Sequence, residues 1–457
     1  MDGRMRNSRD GGWGWMIVAS SFVTLIFTRS VARCLSIFFV EFQMQFSTDY
    51  STTSWIHSLL DFTTMLFAPL GSCVGNCMST RIAVMTGGLL SSVGLVLSSF
   101  APSLQFLYMS LGILTGLGFA LSYTPAVAMV DTYFNKRKAL AYGIAMSGRG
   151  IGIFILPPLL QYLINLYSWR GALLILGGLV SNLCVCGSLM RPLVVQNKGE
   201  KENAKPIFDE LDVQGDLKAV KLVGMGPGFL IKQSRKRREL ERCFFPPSSD
   251  KYSFLLKPDF LLFSVSVLFL AFGYSLPFVY LVPYSLSMDI SQHQAVLFMS
   301  ILGVMGIVGN ITFGLISDKK CLRTFRVITF LITVGFEGLA CLFVPLLRSF
   351  STLVSFSIFF GFFDGVCTAL TPVVTCDIVG SAHLSSALGV IGFLHAIPYL
   401  ISPPIAGWLL DQSGSYTVVF LFSGLSLLCS SFILAALSVL RHCCREHAVS
   451  LQNHHQA

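Results

Sequence analysis

Twelve apolar runs of about 20 residues, separated by short polar segments, leave this 457-residue chain one economical way to fold. At about 1.5 Å per residue, each run is long enough as a helix to cross a hydrocarbon core of about 30 Å. With 53% hydrophobic and 12% charged residues, a soluble fold is excluded. The first six spans are expected near 13–40, 53–74, 82–100, 105–130, 139–164 and 171–190. Six more are expected near 259–280, 295–316, 327–347, 352–375, 386–410 and 416–440.

Lys and Arg orient these spans, because basic residues in short loops stay on the cytoplasmic side. With the N-terminus inside, 27 of the 32 basic residues fall in inner segments, and only Arg170 and Arg348 fall in outer loops. Both termini are therefore expected to be cytoplasmic. The net charge of +9 reads as this topology signal; no base-stacking aromatics interleave it, so no nucleic-acid partner is implied. None of the 13 cysteines lies in an outer loop, which leaves a disulfide framework nothing to use. Neither a metal-ligand spacing of His and Cys nor a hydrolase or nucleotide-loop constellation is present, so no metal, cofactor or enzyme activity is expected.

The chain divides into a cytoplasmic tail (1–12), a six-helix half (13–190), a hydrophilic linker (191–257), a second half (258–440) and a C-terminal tail (441–457). The linker carries 14 basic residues, including Arg235-Lys236-Arg237-Arg238, and reads as a solvated cytoplasmic loop. Six helices, a linker and six helices form a plan that resembles the major facilitator superfamily, an all-α membrane fold in which a midplane site alternates between the two faces.

Two motifs narrow the resemblance. Asp10-Gly11-Gly12-Trp13-Gly14-Trp15 stands at the mouth of helix 1, where glycines permit close packing and Trp13 and Trp15 can anchor at the interface. Tyr133-Phe134-Asn135-Lys136-Arg137-Lys138 opens into a small-residue face on helix 5 that includes Gly143 and Gly148, suited to a tight, sliding contact. In this order and spacing the two resemble the signature sequences of the monocarboxylate transporter family. Ser168-Trp169-Arg170-Gly171 and Met190-Arg191-Pro192 extend the likeness. The runs from Arg29 to Glu41 and from Trp55 to Gly71 look most like a branch associated with creatine rather than lactate. The family resemblance implies a multi-pass plasma-membrane carrier of a small molecule and a basigin-like single-pass chaperone.

Charges inside spans mark the site, since each costs about 2.5–3.5 kcal/mol on insertion scales unless it finds a partner, water or a function. Arg29 and Arg33, four residues apart, are expected on one face of helix 1. Counted from the Asp10 motif, Arg33 falls where proton-coupled members of the family carry a lysine that receives the substrate carboxylate; a structural pair with Asp61 is the alternative reading. Arg149 interrupts the small-residue face of helix 5 and either extends a positive cavity or forms a salt bridge. Asp61, Glu337 and Asp364 are the central carboxylates, with Asp377 nearer the inner interface. Asp364, beside Gly365 and next to Phe362 and Phe363, suits a guanidinium ligand or else neutralises Arg33 or Arg149.

Helix 8 departs from the family. Lactate-carrying members show an Asp and an Arg four residues apart, linked to substrate and proton handling; the corresponding positions here read Gly306 and Asn310. Facilitated diffusion of creatine or a related guanidino compound is therefore expected. The rivals are a proton-coupled carrier of short monocarboxylates, for which another carboxylate would have to carry the proton, and a non-transporting membrane sensor.

Overall fold

The computed structural model describes residues 12–134, 138–191, 255, 257–316, 325–380 and 384–456. Every long element among them is helical. The first half holds α1 (residues 12–46), α2 (Tyr50–Leu66 and Ala68–Cys77), α3 (Thr80–Ser99) and α4 (residues 104–133). A continuous helical stretch, Lys138–Val180 followed by Leu183–Leu189, contains the next two spans; Ser168, with φ 58°, breaks it into α5 (residues 138–167) and α6 (residues 169–189). The second half holds α7 (Pro258–Leu286), α8 (Gln292–Ile316), α9 (Arg326–Phe343), α10 (Phe350–Val379), α11 (Leu384–Ser413) and α12 (Tyr416–Gln456). Read by length and hydropathy alone, eleven stretches qualify as spans, one of them the 49-residue run Ala141–Leu189. The break at Ser168 makes that run two, which restores the expected twelve.

Two features add to these expectations. The segment assigned to a C-terminal tail continues α12 as helix to Gln456, well past the apolar span that ends at Ala436. Helix 1 is not a regular α-helix: a π turn, Ile26–Ser30, interrupts it between Gly12–Leu25 and Val31–Cys34. A π turn inserts extra backbone into the cylinder and rotates everything beyond it, a feature that recurs at functional sites.

The packing follows from what a bilayer leaves available. Lipid tails are as apolar as Leu, so helices associate through close backbone approach and satisfied hydroxyls. Ser21 donates to the Ala126 carbonyl at 2.9 Å, and Ser423 donates to the Gly273 carbonyl at 2.7 Å. Thr63 and Thr64 of α2 donate to carbonyls one turn back at 2.7 Å each, so neither hydroxyl is left bare in the core. One such close approach is α8 on α10: a Cβ on Gly365 would collide with the Gly306 carbonyl, and one on Gly309 with the Phe362 carbonyl.

Each half has its own core, one including Phe38, Leu60, Phe119 and Leu176, the other Phe263, Phe278, Phe298 and Phe360. Between the halves, α2 packs on α11, α5 on α8, and the outer segment of α1 on α7. This is the interface along which two bundles can rock. Gly365→Leu is predicted to destabilise the protein by about 1–3 kcal/mol or more through overpacking of α8 against α10. Gly178→Ala, where no described atom lies within 4 Å, should leave stability unchanged or raise it. Thermal unfolding of the two variants in detergent checks both.

Candidate functional site

Arg29 lies in the π turn of α1 and Arg33 in the helical turn that follows it. Arg29 turns into its own half, its guanidinium 4.3 Å over the Tyr123 ring and 3.7 Å from Met65 Sδ. Arg33 instead reaches the interface between halves, where its guanidinium carbon lies 5.0 Å from the Tyr274 ring, 4.7 Å from Phe278 and 5.8 Å from Tyr399. Both guanidiniums nevertheless lie within electrostatic reach of His395 and Tyr399 of α11, so the two arginines border one region.

Arg33 is 7% exposed, and its Nη1 stands 3.7 Å from Asp61 Oδ2. That separation is an ion pair without a hydrogen bond, and neither atom has another hydrogen-bond partner among the described residues. His57, one turn earlier on α2, brings Nε2 to 3.4 Å from the same Oδ2, again without a hydrogen bond. A desolvated guanidinium among three aromatic rings, with an N–H still to satisfy, is suited to receive a carboxylate in a charge-assisted contact. Of the sequence readings of Arg33, the Asp61 neighbour is present, and a donor is left over beside it.

The opposite pole lies on the second half. Asp364 is 4% exposed on α10 and accepts a short hydrogen bond from the Tyr274 hydroxyl of α7. Arg149 crosses from α5 to meet it, with Nη2 2.5 Å from Asp364 Oδ2 and 3.0 Å from the Tyr274 oxygen, and Nη1 3.1 Å from Thr368 Oγ1. Gly306 of α8 faces this pair: a Cβ there would lie 3.7 Å from Asp364 Oδ2. The backbone nitrogen of Asn310 abuts Gly365. Arg149 of α5 and Asp364 of α10 thus place a charge pair beside α8, and Gly306 leaves them room.

Tyr274 joins the two poles. Its ring faces Arg33 while its hydroxyl serves Asp364 and Arg149. Sequence reasoning passed over Tyr274, Thr368 and the His57–Asp61 contact. Tyr274, near the middle of an aromatic-rich helix, carried no signal beyond a hydroxyl that a membrane core must satisfy. Glu337 on α9 is fully buried, has no hydrogen-bond partner for either oxygen among the described residues, and lies within electrostatic reach of Asp364 and Arg149. Asp377 pairs with Arg326 at 3.3 Å, away from these groups.

The signature motifs build a different place. Trp15 meets Phe134 edge-on at 5.3 Å, Gly14 leaves space for the same ring, Arg191 lies 4.4 Å over Trp13, and the Tyr133 hydroxyl donates to the Arg191 carbonyl at 2.6 Å. Both motifs and the exit of α6 thus form one packed corner at the inner end of the first half. Asp10, Gly11, Lys136 and Arg137 lie outside the described residues, and Gly12 has no described atom within 4 Å of an added Cβ. Gly148 packs on the Phe22 backbone of α1 inside the same half; its neighbour Gly150 makes the cross-half contact, against Gly303 and Ile307 of α8. Around Gly143, no described atom lies within 4 Å.

The outer end of the interface is sealed. Asp49, at the N-cap of α2, makes no side-chain cap; Asp411 of α11 does so from the other half, accepting from the Tyr50 and Ser51 backbone N–H groups at 3.1 and 2.9 Å. The Tyr416 hydroxyl bonds that of Tyr50 at 3.0 Å, and Gln161 of α5 meets Gln292 of α8 at 3.3 Å.

Two six-helix halves, sealed on one side and carrying opposite buried charges where they meet, define a transporter of the major facilitator class. The Major Facilitator Superfamily family model matches residues 18–344. A POT family transporter solved in complex with 5-aminolevulinic acid shares the fold with a TM-score of 0.68 at 15% identity, over 94% of this chain and 98% of that one. The chain is 58% identical to monocarboxylate transporter 12-B of Danio rerio over 436 residues, 95% of this chain and 89% of that protein. It is 54% identical to monocarboxylate transporter 12 of Homo sapiens, over 94% of this chain and 81% of that protein. With human monocarboxylate transporter 2 the identity is 31%, over 91% and 83%. The chain belongs to the monocarboxylate transporter family and is a membrane transporter, not an enzyme.

Asp411→Ala is predicted to loosen the outer seal, since it removes two hydrogen bonds to a charged acceptor, each worth about 1.5–3 kcal/mol. In a Val279→Cys background, labelling by a membrane-impermeant thiol reagent from outside should rise about tenfold or more when Asp411 is replaced.

Proposed function

We propose that this chain is a plasma-membrane carrier that moves a small zwitterion or organic anion, creatine or a related guanidino compound, by facilitated diffusion through alternating access. One observation carries the reading: Arg33 and Asp364, a cation on the first half and a carboxylate on the second, are both buried at the interface and share Tyr274. Creatine has a carboxylate at one end and a guanidinium at the other, so it needs one group of each kind. Arg33 would receive the carboxylate with its leftover N–H, and Asp364 with the Tyr274 and Thr368 oxygens would receive the guanidinium. A ligand held by both halves at once couples its binding to their rocking.

The creatine assignment also draws on the branch that the Arg29–Glu41 and Trp55–Gly71 runs resemble. Facilitated diffusion draws on helix 8, where Gly306 and Asn310 stand in place of a titrating pair. Residence at the plasma membrane and an association with a basigin-like single-pass chaperone belong to the same reading and rest on the family. Glu337, a buried central carboxylate with no hydrogen-bond partner for either oxygen among the described residues, is the feature that favours the proton-coupled rival.

Cells expressing the chain are predicted to take up labelled creatine saturably, with rates at external pH 7.5 and 6 within about twofold of each other. Arg33→Ala should lower uptake by about a hundredfold at matched surface expression, the scale of losing a charge-assisted contact of about 3 kcal/mol. Acid-stimulated lactate uptake would instead establish the proton-coupled reading, and flux of neither solute would end the substrate assignment.

A further inference from the structure

Arg149 sits in the receptor that the proposed function gives to the cargo. Its donors meet three oxygens, all from the second half: Asp364 at 2.5 Å, Tyr274 at 3.0 Å and Thr368 at 3.1 Å. Two of those oxygens belong to hydroxyls whose protons are already committed. Tyr274 donates to Asp364, and Thr368 donates to the Asp364 backbone carbonyl at 2.8 Å. Both are left facing Arg149 as pure acceptors, which is what a guanidinium, with five donors and no acceptor, requires. The set is shaped for a guanidinium rather than for a generic cation.

The exposure of the pair is unequal. The Arg149 side chain is 19% exposed and the Asp364 side chain 5%. Arg149 therefore has a side from which it can leave, while Asp364 has none. Its backbone is held close to α8 by Gly150, whose added Cβ would overlap Ile307, so the arginine reaches α10 across the interface without stretching. The position opposite Asp364 on α8 is Gly306, which has no side chain to compete for the carboxylate.

We propose that Arg149 is a tethered stand-in for the cargo guanidinium, neutralising Asp364 whenever no cargo does. The inference rests on the guanidino-substrate reading above. A facilitator must return across the membrane unloaded to sustain net flux, and during that return a bare carboxylate would lie buried between the halves. Leaving one partner of a buried pair alone is strongly unfavourable, and Arg149 removes that barrier. Cargo and Arg149 then compete for one receptor, so Arg149 sets both the affinity for the guanidinium end and the balance between net transport and exchange.

The test compares zero-trans net uptake of labelled creatine with its exchange against internal creatine, in cells expressing wild type, Arg149→Gln and Arg149→Lys at matched surface levels. For Arg149→Gln, net uptake should fall about tenfold or more relative to exchange, because only the unloaded return needs the stand-in. Arg149→Lys retains the charge but loses the two-armed fork, so its net-to-exchange ratio should stay near wild type while KM for creatine falls about threefold or more. If Arg149→Gln does not reach the surface, the KM of Arg149→Lys decides: an unchanged or raised KM overturns the proposal. A parallel fall of net uptake and exchange in Arg149→Gln overturns it as well, with the substrate reading intact. Absence of creatine flux in wild type fails the substrate reading itself.

Discussion

A carboxylate buried in the middle of a membrane protein cannot be left alone, and the second half of this transporter is arranged around that constraint at Asp364. Tyr274 and Thr368 orient on it, Arg149 crosses the interface to it, and Gly306 and Gly365 bring α8 and α10 together beside it. Arg33 poses the converse problem in the first half. It meets Asp61 at ion-pair distance and three aromatic rings from α7 and α11, yet keeps a donor unspent. The protein thus holds one incompletely satisfied cation and one fully satisfied carboxylate, on opposite halves, at the surface where the halves move.

The buried charge beside α8 is carried by α5 and α10. A charge pair within a single helix, as expected for helix 8 of lactate-carrying members, travels with one half throughout the cycle. The Arg149–Asp364 pair spans both halves and so ties one to the other at the midplane. The outer seal works on the same principle at lower cost: Asp411 caps the helix dipole of α2 from the opposite half, close to water, so that it can be released. Mid-membrane pairing makes the crossing selective, and peripheral capping makes the closed state definite.

Much of this was legible before any coordinates, for physical reasons. Bilayer thickness forces apolar runs of fixed length, so the twelve spans and the two halves could be read directly, and the Lys and Arg distribution oriented them. Buried charge is rare enough that Arg33, Arg149, Asp61 and Asp364 stood out as site residues. Pairing was not legible: Arg149 faced several possible carboxylates, and only the approach of α5 to α8 and of α8 to α10 selects Asp364. The π turn in α1 was equally hidden, since Ile26–Ser30 carries no glycine or proline to announce it. The signature motifs were recognisable as a family mark, but their meaning as one packed corner around Phe134 and Arg191 needed the fold.

The central claim, that one ligand bridges a cationic pole at Arg33 and an anionic pole at Asp364, is most directly tested by cutting the ligand and the protein in parallel. Competition binding to the purified carrier would compare creatine with methylguanidine, which lacks the carboxylate, and with sarcosine, which lacks the amidino carbon and its two terminal nitrogens, against wild type, Arg33→Ala and Asp364→Asn. The account predicts that Arg33→Ala weakens creatine strongly but leaves methylguanidine almost unaffected, while Asp364→Asn weakens creatine and methylguanidine alike. Equal losses for creatine and methylguanidine on Arg33→Ala, or no loss of either on Asp364→Asn, would contradict it.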